Sequence, residues 1–352
     1  MKIKFNAIII SSIILTGAVS CTARKQRQNI PTVKFIKNEA DKKVDVMVDG
    51  QIFTSYWWPD NVYKPVLYPI LTPNGTPITR GFPIKPREGE RRDHIHQVGN
   101  WLNYGNVNGY DFWGNGSEGK RNVNGGQIKH LGIQKMTDGL GEGTLIAKAS
   151  WIDPQGKELL AETTEFHFIA NGSTRIIDRI TTLRASGGAV TMKDTKEGSF
   201  GIRVARQLEL PSKEDVVLTE ANGGTTTVKK MSNEGVTGNY KSSEGVTGEA
   251  TWGKRAKWMN LYGSIKDEKI SLVIADHPKN LSYPTYWHAR GYGLFAANPF
   301  GVKDFTEGKQ ELNHIIPAGQ SLTLRYRIIL NSGTHLSDEQ IHTYTDEFAT
   351  KY

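Results

Sequence analysis

Leu322-Thr323-Leu324-Arg325-Tyr326-Arg327-Ile328, near the end of the chain, alternates apolar or aromatic side chains with polar ones. Successive side chains of a β-strand point to opposite faces, so the stretch predicts a strand with one face in a core and one face wet. Glu165-Phe166-His167-Phe168 repeats the pattern in mid-chain. Around them, Thr144 to Ile152, Leu159 to Ile169, Thr174 to Leu183, Gly198 to Leu210, Ala250 to Ile265 and Lys269 to Ile274 are runs rich in β-branched residues, punctuated by Gly, Asn, Asp and Pro. Ile316-Pro317-Ala318-Gly319-Gln320-Ser321-Leu322 fits a tight turn feeding the closing strand. No long amphipathic helical pattern comes before the C-terminus. There Ser337-Asp338-Glu339-Gln340 reads as a capping box, with Ile341, Tyr344 and Phe348 on one face of a short helix. Long strands, few helices and no linker-like break predict an all-β fold: one large antiparallel β-sandwich over residues 32–352, with a short C-terminal helix. A small duplication, Ser232-Asn233-Glu234-Gly235-Val236-Thr237-Gly238 and Ser242-Ser243-Glu244-Gly245-Val246-Thr247-Gly248, predicts an extended hairpin or loop without chemistry.

The first residues carry an export signal. Lys2 and Lys4 precede an apolar run from Ala7 to Val19 that is too short for a comfortable membrane span. Ala18-Val19-Ser20 then places small residues ahead of Cys21, the only cysteine, so no intramolecular disulfide can form. A lone cysteine at that point is similar to a bacterial lipobox and predicts a lipoprotein signal peptide over residues 1–20 with acylation of Cys21. Residues 21–31 are polar and basic, a flexible tether without an acidic run. The expected location is a membrane-anchored lipoprotein, periplasm-facing or in the outer membrane. Formal net charge is +8. The excess is scattered over Arg24 to Arg27, Lys85 to Arg92 and Lys254 to Lys257, with no basic helix or basic–aromatic stripe, which argues against nucleic acid as a partner.

Two segments stand out chemically. Asp93-His94-Ile95-His96-Gln97-Val98-Gly99-Asn100-Trp101 continues through Asn108-Gly109-Tyr110-Asp111-Phe112-Trp113, with amides, glycines and aromatics in place of aliphatic residues. On an extended strand the His-x-His spacing would put both imidazoles on one face. They could exchange protons near neutral pH, hydrogen-bond a polar ligand, or ligate a divalent metal if His130, Glu165 or His288 supplied a third donor. Thr285-Tyr286-Trp287-His288-Ala289-Arg290-Gly291-Tyr292 is the second segment, leading to Asn298-Pro299-Phe300. His288 and Arg290 at i and i+2 suit a carboxylate or a developing oxyanion, and the neighbouring aromatics offer flat faces to sugars. Glu197-Gly198-Ser199-Phe200-Gly201-Ile202-Arg203 adds an acid and a base, with Arg203 expected to neutralise a nearby carboxylate. Asp276-His277 is expected to shape a turn. The segments from the two ends of the chain are expected to form one site.

At these residues the chain resembles the PmoA-like family, filed as methane oxygenase PmoA. It has Asp93, His94, His96 and Gly99 of a histidine-rich motif, and Gly105, Val107, Asn108, Gly109, Asp111, Phe112 and Trp113 of the run that follows. It departs from the motif at Ile95, Gln97 and Val98, so a third histidine and an arginine are missing. Tyr68 to Gly75, Lys196 to Ala205, Asp276 to Asn280 and Trp287 to Gly301 look like later family segments. The similarity spans about residues 60 to 330. The family name does not carry the function: after Val19 the chain has no apolar run of the roughly 20 residues a membrane oxygenase subunit needs. The resemblance implies a galactose-mutarotase-like supersandwich in an exported, saccharide-related protein.

These lines lead to an expected saccharide-acting enzyme of hydrolase, lyase or epimerase type. His94, His96 and His288 would handle protons, with Arg290 as clamp and Glu197 and His130 in secondary roles. Arg203, Trp101, Asn108, Trp113, Tyr286, Trp287, Tyr292 and Asn298 would contact the sugar. Alternatives are a non-catalytic glycan-binding lipoprotein and a metal enzyme with His94 and His96 as ligands; no other cofactor is expected. If Cys21 is the acylation site, Cys21→Ala should move the protein from the detergent phase to the aqueous phase on partitioning. Unchanged membrane association would count against the anchor.

Overall fold

The computed structural model describes residues 1–3, 30–114, 123–229 and 232–352. The signal core Ala7 to Val19, Cys21 and the basic residues Arg24 to Arg27 lie outside the described residues. Two antiparallel sheets carry the fold. The first is built from β1 (Thr32–Asn38), β2 (Lys43–Val48), β3 (Gln51–Trp57), β4 (Val66–Ile70), β5 (Asn100–Tyr104), β7 (Gly139–Leu140), β12 (Gly198–Arg203), β18 (Tyr286–Ala289) and β19 (Leu294–Asn298). Its order is β18-β19-β12-β5-β4-β3-β2-β1-β7. The second holds β6 (Gln127–Thr137), β8 (Glu142–Ile152), β9 (Glu158–Asn171), β10 (Thr174–Ala185), β15 (Asn239–Ser242), β16 (Trp258–Ile265), β17 (Glu268–Asp276) and β21 (Ser321–Ser332). Its order is β15-β16-β17-β21-β10-β9-β8-β6. Short pairs, β11 (Val190–Met192) with β20 (His314–Ile316) and β13 (Val216–Thr219) with β14 (Thr225–Val228), flank them.

The two-residue period builds the core. Along β9, Phe166 and Phe168 are fully buried while Glu165 and His167 face outward. Along β21, Leu324, Tyr326, Ile328 and Leu330 point into the same interior. Partners from the other sheet include Val44, Val46, Phe53, Leu102, Phe200, Ile202 and Phe295. Each large apolar side chain removed from water in this way contributes roughly 1.5–3 kcal/mol. The expected large antiparallel sandwich is therefore the fold, with one turn of helix as α1 (Val302–Phe305) and the short C-terminal helix in place as α2 (Asp338–Lys351). Its capping box is formed: the Ser337 hydroxyl accepts from Gln340 N, and the Gln340 side chain accepts from Ser337 N.

The structure corrects the strand expectations in four places. The run from Gly198 to Leu210 is a strand only to Arg203, then bends into a 3-10 turn over Arg206–Leu208. Ala250 to Ile265 begins as a 3-10 turn over Gly248–Thr251, and its strand starts at Trp258. The duplicated segments are not one loop: β15 lies between the turns, paired with β16, and Tyr240 on it is buried. Arg327, expected on a wet face, is fully buried, because α2 lays Ile341 and Phe348 over that face. Arg327 donates through Nε and Nη2 to both oxygens of Asp178 on β10, at 2.6 and 2.8 Å, and through Nη1 to the Tyr344 carbonyl. The ion pair thus joins two strands to the closing helix.

Asp178→Ala would leave a buried guanidinium without its carboxylate. The expected loss is about 3–5 kcal/mol, the usual scale for breaking a buried pair. Urea unfolding measures it; a loss under about 1 kcal/mol would mean the pair does not hold α2.

Candidate functional site

The strands at one end of the first sheet carry two sets of side chains. Leu102 and Tyr104 of β5, Phe200 and Ile202 of β12, Phe295 and Ala297 of β19, and Trp287 and Ala289 of β18 face the second sheet. The alternate residues therefore face outward. Cross-strand pairing aligns His288 with Ala296, Ala296 with Gly201, and Gly201 with Trp101. This row has bulk at both ends and small residues between. A Cβ at Gly201 would come within 2.7 Å of the Trp101 ring, so the ring packs directly on the strand and glycine is required there. Trp113 closes the row, 5.5 Å from Trp101 edge-on and 6.5 Å from His288 at an interplanar angle of 15°.

The loop of residues 91–97 lies over this face. His94 and His96 do not share a strand, as the sequence suggested; they occupy a turn in which Gln97 N donates to the His94 carbonyl. The turn still brings them together, with ring centroids 5.8 Å apart. His94 stacks on Tyr292 at 4.9 Å and 5°, and His96 meets Trp113 edge-on at 6.3 Å. Aromatic rings thus run without a break from Tyr292 through His94, His96 and Trp113 to His288. The two distant sequence segments share one face of one sheet.

Asp93 fixes the loop. Its Oδ1 accepts from Arg80 Nη1 and Arg203 Nη2, both at 2.7 Å, and its Oδ2 bonds His94 Nδ1 at 2.8 Å. Burial alone would raise the Asp93 carboxyl. The His94 hydrogen bond and the charges of Arg203 and Arg80 outweigh it and hold the group well below the usual carboxylate range. An ionised carboxylate only accepts, so Nδ1 of His94 carries a proton in this bond. Arg80 is 1% exposed and also donates to the carbonyls of Arg91, Asp93, His94 and Gln97. Burial lowers it to about 9, so it stays charged at neutral pH. Arg203 Nη1 donates to Gln97 Oε1 at 2.6 Å, and its guanidinium lies 4.7 Å from the Tyr292 ring centroid. At the end of the loop Gly99 has φ +59°, and a Cβ there would lie 2.3 Å from the Leu67 carbonyl oxygen.

His288 is 3% exposed, and its Nδ1 is 2.8 Å from the Lys196 carbonyl. A carbonyl cannot donate, so Nδ1 is protonated and Nε2 is the acceptor. Burial lowers His288 to about 3; the Lys196 carbonyl opposes that shift, and the charges of Arg290, Lys196 and His94 add to it. His96 is lowered further by burial and by the charge of Lys64. Both rings are therefore neutral near pH 7. Arg290 lies just past the end of β18, not on the strand with His288. Its guanidinium sits 5.6 Å from Trp252 and 5.9 Å from Tyr292. Tyr286 faces outward and stacks on Phe305 at 5.4 Å. Glu197 is half-buried beside Lys196, 3.2 Å from its amine.

Four candidates have other work. Trp287 points inward on the strand's period, is fully buried, and donates Nε1 to the Ala256 carbonyl. Asn298 is on the outer side but fully used: Nδ2 donates to the Thr195 and Lys196 carbonyls, and Oδ1 accepts from Phe300 N. It holds the segment whose carbonyl orients His288. Asn108, at φ 53°, pegs a turn through Thr191 N and the Ala189 carbonyl. His130 belongs elsewhere, stacked on Trp58 and bonded to the Tyr56 hydroxyl. Trp101 is buried and serves as wall and floor. Asp276 and His277 shape a turn: the Asp276 carboxylate accepts from His277 N, Asn280 Nδ2 and Thr285 N. Arg80, Gln97, Phe305 and Lys64, whose amine donates to the His96 carbonyl at 2.7 Å, complete the site. Among the described residues no three His, Cys, Asp or Glu side chains form a group able to hold a metal ion, and Asp93 is already shared by two guanidiniums.

The chain belongs to DUF6807, a family of unknown function, whose model matches residues 43–346. No curated protein matches it. Similar solved structures include the galactosidase domain of an alpha-galactosidase–sucrose kinase: 9% identity, TM-score 0.38, 85% of this chain and 42% of that one. A GH36 alpha-galactosidase of Geobacillus stearothermophilus, in complex with stachyose, gives 8%, 0.37, 86% and 40%. A galactose mutarotase related enzyme of Lactobacillus acidophilus gives 10%, 0.27, 86% and 97%. The chain spans about two fifths of the length of the two galactosidase chains. No helix among the described residues is long and apolar enough to cross a membrane.

Asp93→Asn should destabilise the protein. Breaking a fully buried pair removes about 3–5 kcal/mol; less is expected here, because the Asp93 side chain is 31% exposed. The folded-state carboxyl is depressed, so its stabilisation is full above the unfolded-state pKa of about 3.9 and is lost as pH falls below it. Thermal melts from pH 6 to pH 2 should fall more steeply in the parent than in Asp93→Asn. Parallel curves would contradict the shared carboxylate.

Proposed function

We propose that this is an exported protein, acyl-anchored through Cys21 and facing the periplasm or set in the outer membrane, that binds and transforms a saccharide on the outer face of the first sheet. Its scaffold is taken as galactose-mutarotase-like, in keeping with the PmoA-like resemblance. The observation that carries this reading is the Asp93–His94 pair, in which an ionised carboxylate held by two buried arginines aims a partly exposed imidazole beside an aromatic-lined row. Sugars present apolar ring faces and hydroxyl rims, and the half-buried Tyr292 ring beside the partly exposed His94 suits both, with His288 deeper behind them.

His94 is the proton-transfer group, because its ring is partly exposed while Nδ1–H is held by Asp93. It would take a proton from a sugar hydroxyl, a ring carbon or an attacking water, and return it to the departing oxygen or the opposite face. Neutral His288 accepts a hydroxyl proton through Nε2 and fixes the ring. Arg290 is placed for an anionic or developing negative oxygen. Glu197 stands beside Lys196, whose carbonyl orients His288, and pairs with the Lys196 amine. A second reading, saccharide binding without turnover, is favoured by one observation: His96 and His288 are both depressed far below neutral, which suits acceptors better than proton carriers.

With a turned-over oligosaccharide from a panel of plant and host glycans, His94→Ala and His288→Ala should each lower kcat/KM roughly 10²-fold. The double variant should be far less than multiplicatively worse. Glycan binding that persists with no turnover in the parent would favour the binding-only reading. Full activity in both single variants would remove the site.

A further inference from the structure

A second cavity, of about 250 Å³, opens where the segment after β3 meets β6, lined by Lys42, Trp58, Asp60, Lys64, Lys129 and His130. Its wall is aromatic: the Trp58 and His130 rings stack at 4.0 Å and 24°, and the Tyr56 hydroxyl anchors His130 Nδ1 at 3.1 Å. Burial lowers His130 to about 4, so the wall is uncharged near neutral pH. The remaining lining carries three lysines and one carboxylate, Asp60, beside Pro59, Gln127 and Ile128. Lys42 is paired with Asp60, whereas no described carboxylate forms an ion pair with Lys64 or Lys129. Nearby Lys37 and Glu39 pair with each other.

Lys64 is the unusual member. It is 3% exposed, its amine lies 5.6 Å from the Trp101 ring centroid, and its hydrogen-bond acceptor is the neutral carbonyl of His96. Burial lowers it to about 7, against the charge of Asp111. A buried ammonium without an ion-pair partner is unfavourable, and an anion beside it relieves that. At about 250 Å³ the room falls just below the usual range of ligand pockets, enough for a single pyranose ring and no more.

We infer that this cavity is a second ligand site, for a sugar acid whose carboxylate meets Lys64 and Lys129 and whose ring packs on the Trp58–His130 wall. The cavity lies apart from the row around His94 except for Lys64, whose amine also holds the His96 carbonyl, so Lys129→Ala and Trp58→Ala are the variants that test it apart from the proposed catalysis. Calorimetric titration at pH 6 with sodium glucuronate, glucose and sodium acetate tests it. Glucuronate should bind about 10-fold or more tightly than either of the others, the worth of one charge-assisted hydrogen bond. Lys64→Met, Lys129→Ala and Trp58→Ala should each weaken it about 10-fold, while His288→Ala should not. Lys129 is exposed, so its replacement leaves folding out of the comparison. Absence of glucuronate binding, equal binding of acetate, or unchanged affinity in Lys129→Ala together with Trp58→Ala would overturn the inference. Loss of glucuronate binding in His288→Ala would place the sugar acid on the outer-face row and overturn it as well.

Discussion

The Asp93 carboxylate is the point on which the site depends. One of its oxygens is shared by Arg80, from the chain after β4, and Arg203, at the end of β12; the other holds His94. Two guanidiniums drawn out of water are unfavourable unless their donors are used, and here most are used on a single loop. Arg80 collects four carbonyls of that loop in addition to the carboxylate. A segment without regular hydrogen bonding is thereby tied down by side chains. His94 inherits that order: its φ of 44° and its stack on Tyr292 both follow from where Asp93 is pinned.

The sheet beneath supplies the second constraint. A two-residue period cannot place neighbours on the same face, so Tyr286 and His288 face outward only because Trp287 and Ala289 are committed to the core. The same parity puts Gly201 between Trp101 and the small Ala296, which lets the Trp101 ring lie against the sheet with Trp113 packed beside it. Position, more than residue type, separates a wall from a filler. Trp113 and Trp287 look alike in the sequence and do unrelated jobs.

That distinction marks what the sequence made legible. Alternation in Glu165 to Phe168 and Leu322 to Ile328, and the capping box at Ser337, are local patterns, and local patterns survived folding. The union of the His94 and His288 segments was legible from unusual composition alone, since histidines, amides and aromatics together do not suit a core strand. Long-range facts were not. Nothing near Arg80 announces a buried clamp, because its partners are carbonyls of a loop that only the fold brings to it. Arg327 read as a wet residue until α2 covered it. His130 looked like a site histidine by type, yet its strand lies at the edge of the other sheet. Asn108 and Asn298 were singled out for polarity, and both spend that polarity on backbone.

Proton placement on the histidines is the most direct test. In protein labelled with ¹⁵N at histidine, imidazole spectra near pH 7 report which nitrogen of each ring carries the proton. The expected spectrum has both His94 and His288 protonated at Nδ1, with His288 neutral. Addition of a saccharide that the protein binds should shift the Nε2 resonances of both. Protonation of His94 at Nε2 and not at Nδ1 in the free protein, or a bound saccharide that leaves both rings unmoved, would contradict an Asp93-oriented saccharide site.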